Sequence, residues 1–195
     1  SVVKNEDEAR RFIEENLDKF PAGLDVEEYI EGRELTVPML EGYPGRLLDI
    51  VEHDFSAAEG RYDIYDYSLK QTDENVRAIC PAELDEPVRL KILELAEKVL
   101  RVIHCRDMAR VDFRLSKEDD PYILEVNALP RILPDGSLVI AATEKRLAHH
   151  ETLDTVIRSA AKRYGIPLPR KEFAIPREAP PRRASCREVG VSVGR

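Results

Sequence analysis

The chain has little cysteine, no long apolar run and no surplus of positive charge, and each shortage closes a class of function. Its three cysteines, Cys80, Cys105 and Cys186, are odd in number and far apart. They make neither a disulfide framework nor a CxxC metal pair, so a reducing cytoplasm is the expected compartment. No stretch approaches the ~20 apolar residues that span a bilayer, and the opening Ser1-Val2-Val3-Lys4-Asn5 lacks signal-peptide character. No membrane partner is expected. With 30 Lys and Arg against 38 Asp and Glu the net charge is −8, the wrong sign for a broad phosphate-binding face, so no nucleic-acid partner is expected either. The G-x-x-x-x-G-K loop that would cradle phosphates is absent, as is any evident Ser-His-Asp or Cys-His constellation. His104 beside Cys105, and the adjacent pair His149-His150, lack zinc-ligand spacing.

What remains is an acidic globular composition, 43% hydrophobic and 35% charged over 195 residues, long enough for a core without staples. Ala9, Phe12, Ile13 and Leu17 share a helical face that Pro21 and Gly23 close. Residues 24–30 and 34–40 read as two short strands around Glu31-Gly32, and residues 47–55 continue the strands. Residues 56–71, with Tyr62, Tyr65 and Tyr67, read as an ordered loop. Asp85-Glu86-Pro87 supplies an N-cap and a first-turn proline to a helix carrying Val88, Ile92, Leu95, Ala96, Val99, Leu100 and Ile103. Strands at 109–115 and 122–128 form a hairpin across a charged loop, and helices begin near Ser137 and Glu151, the last ended by Gly165. No internal repeat is present. The order points to an α+β fold, helices on a largely antiparallel sheet, over residues 1–165. Residues 166–195 hold seven Arg and Lys against three Glu, with five prolines, and read as a basic, proline-rich, disordered tail.

The hairpin is the informative feature. Side chains alternate along a strand, so Arg110 and Asp112 share one face, Glu125 and Asn127 share one face of the partner, and Val111, Phe113, Leu124 and Val126 point into the core. Two carboxylates and a carboxamide beside an arginine suit Mg²⁺, which prefers oxygen ligands and keeps positions for phosphates and water. An ordinary ion pair between Arg110 and one acid, with Asn127 starting a turn, fits the same spacing, and the residues alone leave both open.

The hairpin keeps particular company. Val26-Glu27-Glu28-Tyr29-Ile30-Glu31-Gly32-Arg33-Glu34-Leu35-Thr36-Val37, Tyr65-Asp66-Tyr67-Ser68-Leu69-Lys70, Cys80-Pro81-Ala82, Ala109-Arg110-Val111-Asp112 and Leu124-Glu125-Val126-Asn127-Ala128-Leu129-Pro130 follow in order. Together they resemble the C-terminal part of the ATP-grasp domain of D-alanine-D-alanine ligases, over residues 1–165. The resemblance implies an ATP- and Mg²⁺-dependent carboxylate-amine ligase of peptidoglycan precursor synthesis. In that family the first D-alanine's carboxylate attacks the γ-phosphate, and the second's amine captures the acylphosphate. It implies Asp112, Glu125 and Asn127 as ligands of two Mg²⁺ ions, with Mn²⁺ as a substitute, and Lys70 on the terminal phosphate. Glu27, Glu28, Tyr29 and Ile30 fall against adenine and Glu34 on the ribose hydroxyls. Arg110 would steady the tetrahedral intermediate, and Ser137 and Leu138 would bind the second amino acid's carboxylate. Positioning and charge neutralisation are what phosphoryl transfer asks of a protein.

One departure is plain: where the family usually has glycine after the motif's proline, Pro130 is followed by Arg131. A ligase of other carboxylate and amine substrates is therefore a neighbouring expectation. The chain starts where the family has just completed a phosphate-covering Gly-Ser-rich loop. The expected partners, besides small-molecule substrates, are thus a missing N-terminal half or, by family analogy, a second copy in a homodimer. Little turnover is expected of these residues alone. The remaining expectation is a catalytically incomplete remnant retained for interactions.

Overall fold

A computed structural model describes residues 2–20, 22–56 and 76–169. Lys70, the Tyr62–Tyr67 region and residues 170–195 lie outside the described residues. Helix α1, Glu6–Asn16, starts at Asn5, whose side-chain oxygen accepts the Glu8 N–H at 2.9 Å, satisfying one of the open first-turn donors. Strand β1 is Gly32–Leu40, β2 Val51–Asp54 and β3 Arg77–Ile79. Helix α2, Glu86–Val102, carries its proline in the first turn, but Asp85 occupies the N-cap position without a side-chain capping bond. The hairpin strands are β4, Met108–Ser116, and β5, Pro121–Asn127. Helix α3, Ser137–Glu144, and helix α4, His149–Tyr164, follow, and Gly165 takes the left-handed conformation that ends α4.

The five strands form one antiparallel sheet in the order β3-β2-β1-β4-β5. One face of β1 and β4, with Leu35, Val37, Met39, Ala109, Val111, Phe113 and Leu115, packs under Ile92, Ala96 and Leu100 of α2. Those three residues recur at i, i+4 and i+8, the stripe a helix needs to cover a sheet. At one end of the opposite face, Leu40, Leu48 and Val51 are covered by Leu138, Ala141 and Ala142 of α3. The rest of that face is polar and bears the site described below. Among the described residues no helix is long and apolar enough to cross a membrane.

Three expectations are corrected. Residues 24–30 form no strand: they join no ladder among the described residues, and 25–28 are exposed. Composition makes a segment extended, but only a neighbouring backbone makes it a strand, and here the Ile30 carbonyl is taken by a side chain, the Nε of Arg114, at 2.9 Å. The strand expected over 47–55 is short, with Leu47 contributing one isolated bridge to Met39. Leu124, expected in the core, is exposed. Asp112 pairs with Glu125 and Phe113 with Ile123, so a bulge leaves Leu124 as the extra residue and turns it away from α2.

Candidate functional site

The ladder between β1 and β4 sets Thr36 opposite Asp112 and Glu34 opposite Arg114, while β5 sets Glu125 opposite Asp112 and Asn127 opposite Arg110. The predicted convergence of Arg110, Asp112, Glu125 and Asn127 is thus present on one face. Thr36 Oγ1 donates to Asp112 Oδ1 at 2.8 Å, and Arg110 Nε donates to Asp112 Oδ2 at 3.0 Å. Arg110 Nη2 stands 3.7 Å from Glu125 Oε1, so the guanidinium lies between the two carboxylates. Asp112 is mostly buried, with 13% of its side chain exposed, whereas Glu125 is 61% exposed. Asn127 Oδ1 accepts the Leu129 N–H at 3.0 Å and turns the chain out of β5. Both features of the ion-pair reading are therefore present, yet an amide oxygen has a second lone pair and a carboxylate four acceptor positions.

Two residues along β4, about 7 Å at the rise of a strand, a second group forms. Arg114 Nη1 pairs with Glu34 Oε2 at 3.2 Å, and Nη2 donates to the Tyr29 hydroxyl at 3.1 Å, with the guanidinium 5.4 Å from the Tyr29 ring centre. These residues line a cavity of about 350 Å³ together with Ile30, Leu124 and, from α1, Phe12 and Ile13. Glu27 and Glu28 also reach it. The size and mixed lining are those of a small-molecule site. All five residues expected against a nucleoside, Glu27, Glu28, Tyr29, Ile30 and Glu34, are thus gathered at this cavity, and Arg114, two residues from Asp112 on β4, lines it as well.

Ser137 and Leu138 stand apart. Ser137 is the first residue of α3 and is buried, and the Leu138 side chain is fully buried in the core beneath α3. Neither makes a hydrogen bond to Arg110, Asp112, Glu125 or Asn127, so what they offer a ligand is chiefly backbone N–H groups at a helix start. Arg131 keeps an ordinary negative φ and pairs with Asp135 at 3.0 Å. The close approach in this loop falls instead at Gly136, where a Cβ would overlap the Arg131 carbonyl oxygen. His149 caps the arrangement, its Nε2 2.7 Å from the Ile132 carbonyl.

Four side chains at the site were not singled out from sequence: Thr36, His53, Arg114 and Leu124. His53 Nε2 is 3.5 Å from Thr36 Oγ1. Alternation along β1 carried a usable signal, since Glu34 and Thr36 share parity just as Asp112 and Arg114 do; the bulge at Leu124 carried none.

The chain resembles known proteins over most of its length. The D-alanine–D-alanine ligase B of Clostridium perfringens is 30% identical over 159 residues, covering 82% of this chain and 49% of that protein. The D-alanine–D-alanine ligase of Herminiimonas arsenicoxydans is 31% identical over 144 residues, 73% of this chain and 42% of that one. The chain spans about half the length of the curated relatives it matches. Among solved structures, the D-alanine–D-alanine ligase of Bacillus anthracis complexed with ATP superposes with a TM-score of 0.65 at 21% identity, covering 84% of this chain and 49% of that one. The Coxiella burnetii ligase gives 0.66 at 22%, over 85% and 42%. At such identities these two show the fold alone, which this chain shares with about half of each. The family model described as D-ala D-ala ligase C-terminus matches residues 1–158, so the chain belongs to that family.

Proposed function

We propose that the chain supplies the nucleotide and metal half of an ATP-dependent carboxylate-amine ligase of the D-alanine-D-alanine type. The observation that carries this is that the 350 Å³ cavity and the Asp112–Glu125–Asn127 group share the hairpin strands: Arg114, which lines the cavity, is two residues from Asp112 on β4, and Leu124, which also lines it, precedes Glu125 on β5. A nucleoside seated against Tyr29, Ile30 and Leu124 would send its phosphates along the strand toward the acids.

The donor set fits a hard divalent cation. Asp112, Glu125 and Asn127 offer oxygen ligands, and among the described residues no cluster of three His, Cys, Asp or Glu competes for a softer ion. Bound there, Mg²⁺ would neutralise charge on the nucleotide phosphates. Arg110 holds the two acids together and sits where it can face a developing oxyanion, which is the work preorganised cations do in acyl transfer. Lys70 is assigned the terminal phosphate on the family resemblance. Ser137 and Leu138 are assigned the second substrate's carboxylate through α3's first N–H groups. Arg131 favours a second reading of substrate only: a guanidinium, paired with Asp135, stands where the family usually has a glycine, which suits a carboxylate or amine other than D-alanine.

Because the chain is about half the length of its relatives, binding is the decisive test. ADP or ATP should raise the melting temperature of the 195-residue chain when Mg²⁺ is present and not when it is chelated, since a ligand bound to the native state alone stabilises it by about 2.7 kcal/mol at a hundred times its dissociation constant. No shift at millimolar nucleotide and metal would refute the proposal.

Thr36 should act on the metal through Asp112. Thr36→Val removes the 2.8 Å hydrogen bond and should weaken Mn²⁺ binding, followed by electron paramagnetic resonance, about tenfold, while Thr36→Ser restores it. Equal affinity in all three proteins would show that the hydroxyl has no hold on Asp112.

A further inference from the structure

Arg114 is the only charged side chain among the described residues that is buried, at 3% exposure. A guanidinium withdrawn from water is costly unless its donors are satisfied, and an apolar side chain in its place often serves stability as well or better. Here each nitrogen has a partner from a different residue: Nε reaches the Ile30 carbonyl, Nη1 the Glu34 carboxylate and Nη2 the Tyr29 hydroxyl. All three partners line the cavity, as does Arg114 itself. None belongs to the α2 core, from which strand parity turns Arg114 away. The charge therefore organises the cavity wall, Glu34 of β1 included, rather than the α2 core. It also ties that wall to β4, two residues from Asp112, although the segment holding Tyr29 and Ile30 joins no ladder of its own.

We propose that Arg114 is a positioning residue of the cavity: by clamping Glu34, Tyr29 and Ile30 together it sets the orientation in which the Glu34 carboxylate meets the two hydroxyls of a ribose. This rests on the nucleotide reading above and extends it to a preference for ribonucleotides over 2′-deoxyribonucleotides. A hydrogen bond to a charged acceptor corresponds to about a tenfold difference in affinity, provided that the acceptor is held in place. Lysine keeps the charge but offers a single point of contact instead of a planar fork, so it separates clamping from neutralisation.

The test is calorimetric titration of the 195-residue chain with ADP and with 2′-deoxy-ADP in Mg²⁺, alongside Mn²⁺ binding without nucleotide. The parent should bind ADP about tenfold more tightly than 2′-deoxy-ADP. Arg114→Lys should lose that preference by weakening ADP alone, with Mn²⁺ affinity unchanged. Arg114→Met should behave likewise, and if it fails to fold the lysine variant decides. Retention of the preference in Arg114→Lys overturns the proposal, as does a parallel loss of ADP, 2′-deoxy-ADP and Mn²⁺, which would mark a merely structural residue. A parent that binds no ADP would instead remove the nucleotide reading on which the proposal stands.

Discussion

An Asp112→Asn chain should bind Mn²⁺ at least about a hundredfold more weakly than the parent and show no magnesium-dependent stabilisation by ADP, while remaining folded. The size follows from what Asp112 alone supplies. It is the less exposed of the two acids, and its carboxylate is fixed at both oxygens, by Thr36 at 2.8 Å and Arg110 at 3.0 Å. Cation affinity at oxygen sites spans orders of magnitude with ligand charge and rigidity, and Asp112 is the charged ligand held rigidly. Asparagine can still accept from Thr36, but its amide group then meets the Arg110 donor, so the local hydrogen bond turns repulsive without emptying the core. Glu125→Gln should weaken the metal less, because Glu125 is 61% exposed and held only at 3.7 Å by Arg110. Isothermal titration with Mn²⁺ checks both. Parent-like affinity in Asp112→Asn would take the cation away from this hairpin and leave the ion pair as its whole explanation.

What could be read from the residues, and what could not, divides along range. Helices α1 and α2 were visible because their apolar stripes are local, and α4 because its end signal is: Pro87 in α2 and Gly165 after α4 both act within one turn. The hairpin was visible for the same reason, a short charged loop between two alternating runs. The partnership of β1 with β4 is different. Thr36 and Asp112 are 76 residues apart, and Glu34 and Arg114 are 80, so their pairing depends on sheet order, which local pattern does not encode. That is why Arg110 and Asp112 stood out while Thr36 and Arg114 did not. Leu124 failed for a further reason. A bulge adds one residue to an alternation of two, and here no glycine marks it, so simple counting put the side chain on the wrong face. The Tyr29–Ile30 segment was misread as strand because extended residues need a partner backbone, and this one is held by an arginine side chain instead.

The largest effect on stability should come from Gly32→Ala. Gly32 opens β1 opposite Ser116, at the end of β4. A Cβ there would overlap the Leu115 carbonyl oxygen and press on the Leu115 carbonyl carbon, and the glycine's φ of +154° is one that side-chain-bearing residues rarely adopt. The obstacle is backbone, so no rotamer change relieves it; the strands must separate locally or β1 must start later. Strain and overpacking of this kind each cost about 1–3 kcal/mol, and together about 2–6 kcal/mol is expected from urea unfolding, as a lower midpoint at unchanged slope. Gly23→Ala is the comparison: its φ is also positive, but a Cβ there meets nothing within 4 Å, so it should cost the backbone strain alone, about 1–2 kcal/mol. The damage should also be directional. Glu34 is two residues from Gly32 and pairs across to Arg114, whereas Thr36 pairs with Asp112 two residues further into the ladder. ADP binding should therefore weaken in Gly32→Ala more than Mn²⁺ binding does. A variant within 0.5 kcal/mol of the parent would mean that the β1–β4 ladder yields at this end without strain.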